Sequence, residues 1–183
     1  MHSKQYLKET ADIAAEIDPA QIEQMAEALS KIKGRIYCIG LGGSLANAIH
    51  MAADFRKLCH LDAIAPNQSE MSAWANDHGQ ENQFAGFLKW IKPGDALFVL
   101  SVGGGTSEFS AAISDSVKYA QFHSAVVFGI VGPHGGVTAE HGEYVIRIPA
   151  NSIRVTPHTE AFQAVIWHCL VSHPILQKAQ TTW

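Results

Sequence analysis

The chain lacks the features that mark several large protein classes. Only 16% of its 183 residues are charged, and the formal net charge is −4. A weakly acidic chain has no electrostatic attraction for nucleic acid or an anionic membrane, so neither is expected as a partner. Cysteine is scarce: Cys38, Cys59 and Cys169 stand apart, with no CxxC pair. That excludes a disulfide framework and predicts inert, buried thiols in a reducing, cytoplasmic setting. No apolar run is long enough to span a bilayer. The opening residues, MHSKQYLKETADIAAEID, are polar and acidic, unlike a secretory leader. No GxxxxGK[ST] motif is present, so nucleoside triphosphate hydrolysis has no support.

What is present reads as one domain. Hydrophobic residues make up 47% of the chain, enough for a full core. Residues 1–34 carry two helical patterns. The first holds Tyr6, Leu7, Ile13, Ala14 and Ile17, and Asp18-Pro19 breaks it; Ile22, Met25, Ala26, Leu29 and Ile32 form the second stripe. In residues 35–183 strands alternate with helices. Apolar runs at 36–39, 96–100, 125–131 and 144–148 predict strands, with a shorter one at 61–65. Helices are expected after Ser44, from Met71 until a polar loop at 76–79, around 82–90, over 108–120 and over 159–173. This alternation predicts a single-domain α/β architecture, an open parallel sheet flanked by helices, behind an N-terminal helical extension. In such sheets ligands sit beyond the carboxyl ends of the strands.

The stretch 37–54, YCIGLGGSLANAIHMAAD, organises the rest. A buried strand breaks at Gly40, Gly42 and Gly43 and meets Ser44, expected as a helix N-cap. Glycines, free N–H groups and the positive end of a helix dipole together make an anion cradle, most often for phosphate. His50 and Asp54 follow on one face of the helix. The same features also fit a tight strand-to-helix turn followed by a chance polar pair. A second strand runs into Ser101-Val-Gly-Gly-Gly-Thr-Ser107. GLGGSLA has Ala46 where a dinucleotide fingerprint needs its last glycine. Two turns without lysine suit a sugar phosphate held by N–H and hydroxyl groups. Ser44, Ser101, Thr106 and Ser107 are the hydroxyls, and helix capping accounts for at least some of them. His168, between Trp167 and Cys169 on an apolar helix, is expected to be at least partly buried. Glu160 heads that helix, where a carboxylate suits the dipole.

These motifs resemble the sugar isomerase (SIS) domain and, within it, the phosphoheptose isomerases. The family's first loop, roughly CGNGGS before a helix with histidine and glutamate four residues apart, appears as CIGLGGS with His50 and Asp54. Its second loop, STSGNS, appears as the run from Ser101 to Thr106, and its asparagine–aspartate pair matches Asn76-Asp77. Its late glutamine and histidine match Glu160 and His168. The resemblance implies an SIS fold and an enediol isomerase of a phosphorylated sugar, sedoheptulose 7-phosphate first. It implies substrate contacts at Gly42, Gly43, Ser44, Asn76, Asp77, Ser101, Gly103, Thr106 and Ser107. It assigns Asp54 as base and His168 as acid, or the reverse. Some members bind zinc, and the matching ligands are His50, Asp54, Glu160 and His168. A homotetramer is implied too, and the stripe from Ile22 to Ile32 and the residues around Trp167 are expected to supply its contacts.

The chain departs from the family where chemistry is done. Asp54 is a methylene shorter than glutamate, Gly103 replaces a serine, Leu41 an asparagine, Glu160 a glutamine, and Pro157 falls where aspartate is expected. These changes open two alternatives: a different sugar phosphate, or a non-catalytic SIS module that binds a sugar phosphate or a protein such as a replication initiator.

Overall fold

A computed structural model describes residues 1–106, 108–150 and 153–180. Helix α1 (His2–Glu16) is followed by α2 (Pro19–Lys31). Asp18 caps α2 by accepting from Ala20 N at 2.9 Å, and Pro19 opens the helix where its missing N–H costs nothing. Then come β1 (Ile36–Ile39), α3 (Gly43–Cys59), β2 (Ala63–Ile64) and α4 (Gln68–His78). A 3₁₀ turn and α5 (Ala85–Leu88) lead to β3 (Ala96–Ser101), α6 (Ala111–Phe122) and β4 (Val126–Val131). Helix α7 (Gly136–His141), β5 (Tyr144–Arg147) and α8 (Val155–Val171) complete the chain.

All five strands are parallel, in the order β2-β1-β3-β4-β5. The chain leaves β1 for β2 on one side, then returns to place β3 on the other. Between the carboxyl ends of β1 and β3 the strand order reverses, and that switch point is where open α/β sheets bind ligands. The two glycine-rich turns leave the sheet there.

Strand residues alternate between two covered faces. Ile36, Cys38, Phe98, Phe128 and Ile130 pack with α1, α2, α3 and α8; Tyr37, Ile39, Leu97, Val99 and Val127 pack with α4, α5 and α6. This two-sided burial explains why the strands read as unbroken apolar runs. Met25, Ala26, Leu29 and Trp167 lie inside this core, with Ile22 and Ile32 packed against it. The α2 stripe expected to build an oligomer interface is therefore packed within the chain, whereas Val165, two residues before Trp167, is exposed. Among the described residues no helix is long and apolar enough to cross a membrane.

Several local expectations change. Helix α4 runs through Asn76 and Asp77 to His78, so the anticipated polar loop is helical. Helix α7 was not legible: six residues between glycine-rich turns carry too little periodicity. Cys38 and Cys59 are buried, and burial pushes the Cys59 thiol up to about 11, but Cys169 is exposed.

Candidate active site

Helices α3 and α8 lie side by side and run in the same direction. Gly43 and Asn47 meet Glu160, Ser44 meets Gln163, His50 meets Trp167 and His168, and Cys59 reaches the Val171 carbonyl. The α3 partners follow helical spacing (43, 47, 50, 54), so one stripe of α3 faces α8 from end to end. Trp167 anchors the seam at 1% exposure.

At the C-terminal end of the seam His50, Asp54 and His168 converge. One ligand-type atom from each lies within 4.8 Å of the others. His50 Nε2 is 3.6 Å from Asp54 Oδ2, and the two imidazoles stand nearly perpendicular with centroids 5.7 Å apart. His168 Nδ1–H donates to the Ala164 carbonyl at 2.8 Å, because a carbonyl only accepts. That bond orients the ring and leaves Nε2 for proton transfer or coordination, as a second-shell carbonyl does for ligand histidines. His168 is exposed, against the expectation of burial; its neighbour Trp167 takes the core position instead. The three residues border a cavity of about 510 Å³, together with Lys57, Ser172 and Gln177. Two imidazoles and a carboxylate suit zinc, with room for a further ligand from solvent.

Glu160 does not join them. It sits two turns earlier on α8, about 12 Å from His168 along the axis. Its side chain packs against Gly43 instead, and a Cβ there would lie 2.5 Å from Oε2. The helix N-cap is Gly42, not Ser44, whose Oγ is buried and accepts from Gln163 Nε2 at 3.1 Å. Asn47 Nδ2 donates to both the Glu160 carbonyl (2.9 Å) and Gln163 Oε1 (3.1 Å). Gln163 and Asn47 had no sequence signal on their own; the shared stripe on α3 is what links them to the seam.

The second turn is also engaged by its own chain. Ser101 Oγ accepts from Gly104 N, and Thr106 Oγ1 accepts from Phe109 N at 2.8 Å. Gly104 has φ +71°, and a Cβ there would lie 1.8 Å from the Gly135 carbonyl oxygen. Its glycine is required by the approach of the β4–α7 turn. Gly103 is open, with nothing within 4 Å of a Cβ. Ser107 lies outside the described residues. Asn76 and Asp77 are exposed on α4 and bonded to each other at 2.9 Å.

No family model matches the chain. A phosphoheptose isomerase of Mycobacterium tuberculosis is 30% identical over 147 residues, 76% of this chain and 71% of that protein. The chain belongs to the phosphoheptose isomerase family. A phosphoheptose isomerase of Roseiflexus is 28% identical, with 96% of this chain and 86% of that protein covered. The solved phosphoheptose isomerase of Neisseria gonorrhoeae has the same SIS fold: TM-score 0.79, 24% identity, 93% of this chain and 92% of that one covered. Membership places the chain among isomerases.

Proposed function

We propose that the chain is an aldose–ketose isomerase of a phosphorylated sugar, with sedoheptulose 7-phosphate the first substrate to test. The observation that carries this reading is the convergence of His50, Asp54 and His168 on one open cavity. Gly43 and His50 lie on one face of α3, about 10 Å apart along its axis. That separation suits an extended sugar phosphate, its phosphate at the glycine turns and its carbonyl end at the histidines.

Isomerisation moves a proton between C1 and C2 through an enediol. Asp54 is assigned the removal of the carbon-bound proton, and protonated His168 donates to the carbonyl oxygen; the reverse assignment uses the same pair. Asp54 then returns its proton to the neighbouring carbon while the hydroxyl on the carbon first deprotonated gives its proton back to His168, so a carbonyl re-forms and both groups and the net charge are restored. A zinc ion held by His50, Asp54 and His168 would supply polarisation of the carbonyl in place of proton donation by His168, because Nδ1 is committed to the Ala164 carbonyl and Nε2 can fill only one of the two roles. Ile49 and Val165 are 48% and 56% exposed on the two helices of the seam, which supports burial of this face in a homo-oligomer, a tetramer by family resemblance.

A non-catalytic sugar-phosphate module is the second reading, favoured by the loop hydroxyls already bonded within the chain. A panel of pentose, hexose and heptose phosphates, assayed for isomerisation with and without zinc, separates the two. Turnover of any member supports the enzyme; binding without turnover supports the module.

A further inference from the structure

The second glycine turn places Gly103, Gly104 and Gly105 in succession, a stretch with little conformational preference of its own. Its shape is imposed from outside. Helix α7 opens directly against it: a Cβ on Gly136 would lie 2.4 Å from the Gly103 carbonyl oxygen and 2.5 Å from that of Gly105. Val137 N donates to the Gly105 carbonyl and Thr138 N to the Gly104 carbonyl, both at 2.9 Å. N–H groups that a helix start leaves unpaired are thus used to hold the turn. Thr138, fully buried, adds a further bond: its Oγ1 donates to the same Gly104 carbonyl at 2.7 Å. Its methyl packs on β4, where a Cβ on Gly129 would lie 2.6 Å from Cγ2. One side chain therefore ties the turn to the sheet through two chemically separate groups.

What the turn then offers is specific. The Gly104 N–H is taken by Ser101 Oγ at 3.0 Å. That hydroxyl accepts, so its own hydrogen stays available to donate. Gly103 is exposed, and its N–H has no partner among the described residues. We propose that Thr138 is the positioning residue of this turn: its hydroxyl fixes the Gly104 peptide, and through it the Ser101 hydroxyl and the Gly103 N–H, in the arrangement that receives the phosphate group of the ligand. This rests on the proposed function in taking the turn as a phosphate site. Thr138 itself touches no ligand. It removes the ordering cost that three free glycines would impose on binding.

The test separates the hydroxyl from the methyl. Thr138→Val keeps the branched shape and removes the hydroxyl; Thr138→Ser keeps the hydroxyl and loses the methyl on Gly129. Both are expected to lower the melting temperature. The full chain is titrated calorimetrically with inorganic phosphate at neutral pH and fixed ionic strength. Thr138→Val should bind about two- to tenfold more weakly, what one hydrogen bond is ordinarily worth, and Thr138→Ser should bind as wild type does. The Gly103 amide resonance of wild type should shift on phosphate addition, which locates the ligand at this turn. A role in stability alone would make affinity follow melting temperature in both variants. Wild-type or tighter binding by Thr138→Val, an equal loss in Thr138→Ser, no phosphate binding by wild type, or an unshifted Gly103 resonance overturns the proposal. Turnover assays on wild type keep this apart from the isomerase reading. Without turnover of any sugar phosphate, a difference between valine and serine still gives Thr138 its role. Turnover with phosphate affinity unaltered in both variants removes the role and leaves the isomerase.

Discussion

The two ends of the α3–α8 seam carry similar side chains and use them differently. At one end Ser44, Asn47 and Gln163 bond to one another across the helices, and Gln163 and Ser44 are buried. At the other, His50, Asp54 and His168 face a cavity of about 510 Å³, with one bond orienting His168 from behind. Polar groups that satisfy each other in the interior specify structure. Polar groups left open to solvent keep their lone pairs for chemistry. The seam therefore divides into a structural half and a solvent-facing half proposed to be reactive, and Glu160 stands out because, among the described residues, its carboxylate has no hydrogen-bond or ion-pair partner although it lies in the structural half.

The largest expected effect is at the reactive end. His168→Gln should lower kcat/KM by about 10²- to 10⁴-fold, the share ordinarily carried by a general acid or base. Zinc uptake should fall with it while the melting temperature stays within error, since the His168 side chain is exposed. Near wild-type turnover would erase the distinction between the two ends.

Next comes the structural half. Gln163→Leu removes the partner of Ser44 Oγ and one of the two acceptors of Asn47, leaving a buried hydroxyl unpaired. A loss of about 1–3 kcal/mol in urea unfolding is expected, with zinc uptake intact. Lost zinc uptake at unchanged stability would show that the halves are one unit.

The smallest effect concerns the start of α8. Arg154 bonds Glu9 of α1 through Nε at 2.9 Å, and buried His158 donates from Nε2 to the same carboxylate at 2.9 Å. The Arg154 guanidinium holds the Glu9 carboxyl far below its ordinary 4.5. A carboxyl whose pKa is lowered by folding stabilises the fold above its unfolded value and loses that contribution as pH falls toward the folded one. Glu9→Gln should thus lower the urea midpoint at neutral pH, and the gap from wild type should close as pH drops below 4.5. A gap that stays constant with pH would mean the cluster acts by packing alone.

Much of this architecture is legible in the sequence alone. The helix break at Asp18-Pro19, four of the strands and the glycine turns follow from local chemistry: a cap with a proline, apolar runs covered on both faces, and residues free to turn sharply. The pairing of His50 with Asp54 follows from helical spacing on one segment. Helix α7 was lost because it is too short for a periodic signal, and Ser44 was misplaced as a cap because Gly42 had already started the helix.

By itself, then, the sequence determined the α/β class, the two turns and the motif residues, because each depends on neighbours within a few positions. Tertiary structure alone decided which of those residues meet. The parallel alignment of α3 with α8 brings His168 to His50 and Asp54, and the same alignment carries Glu160 to Gly43, two helical turns away. A straight helix holds residues eight positions apart at a fixed distance of about 12 Å, so only one of the two can reach any single point on the facing helix.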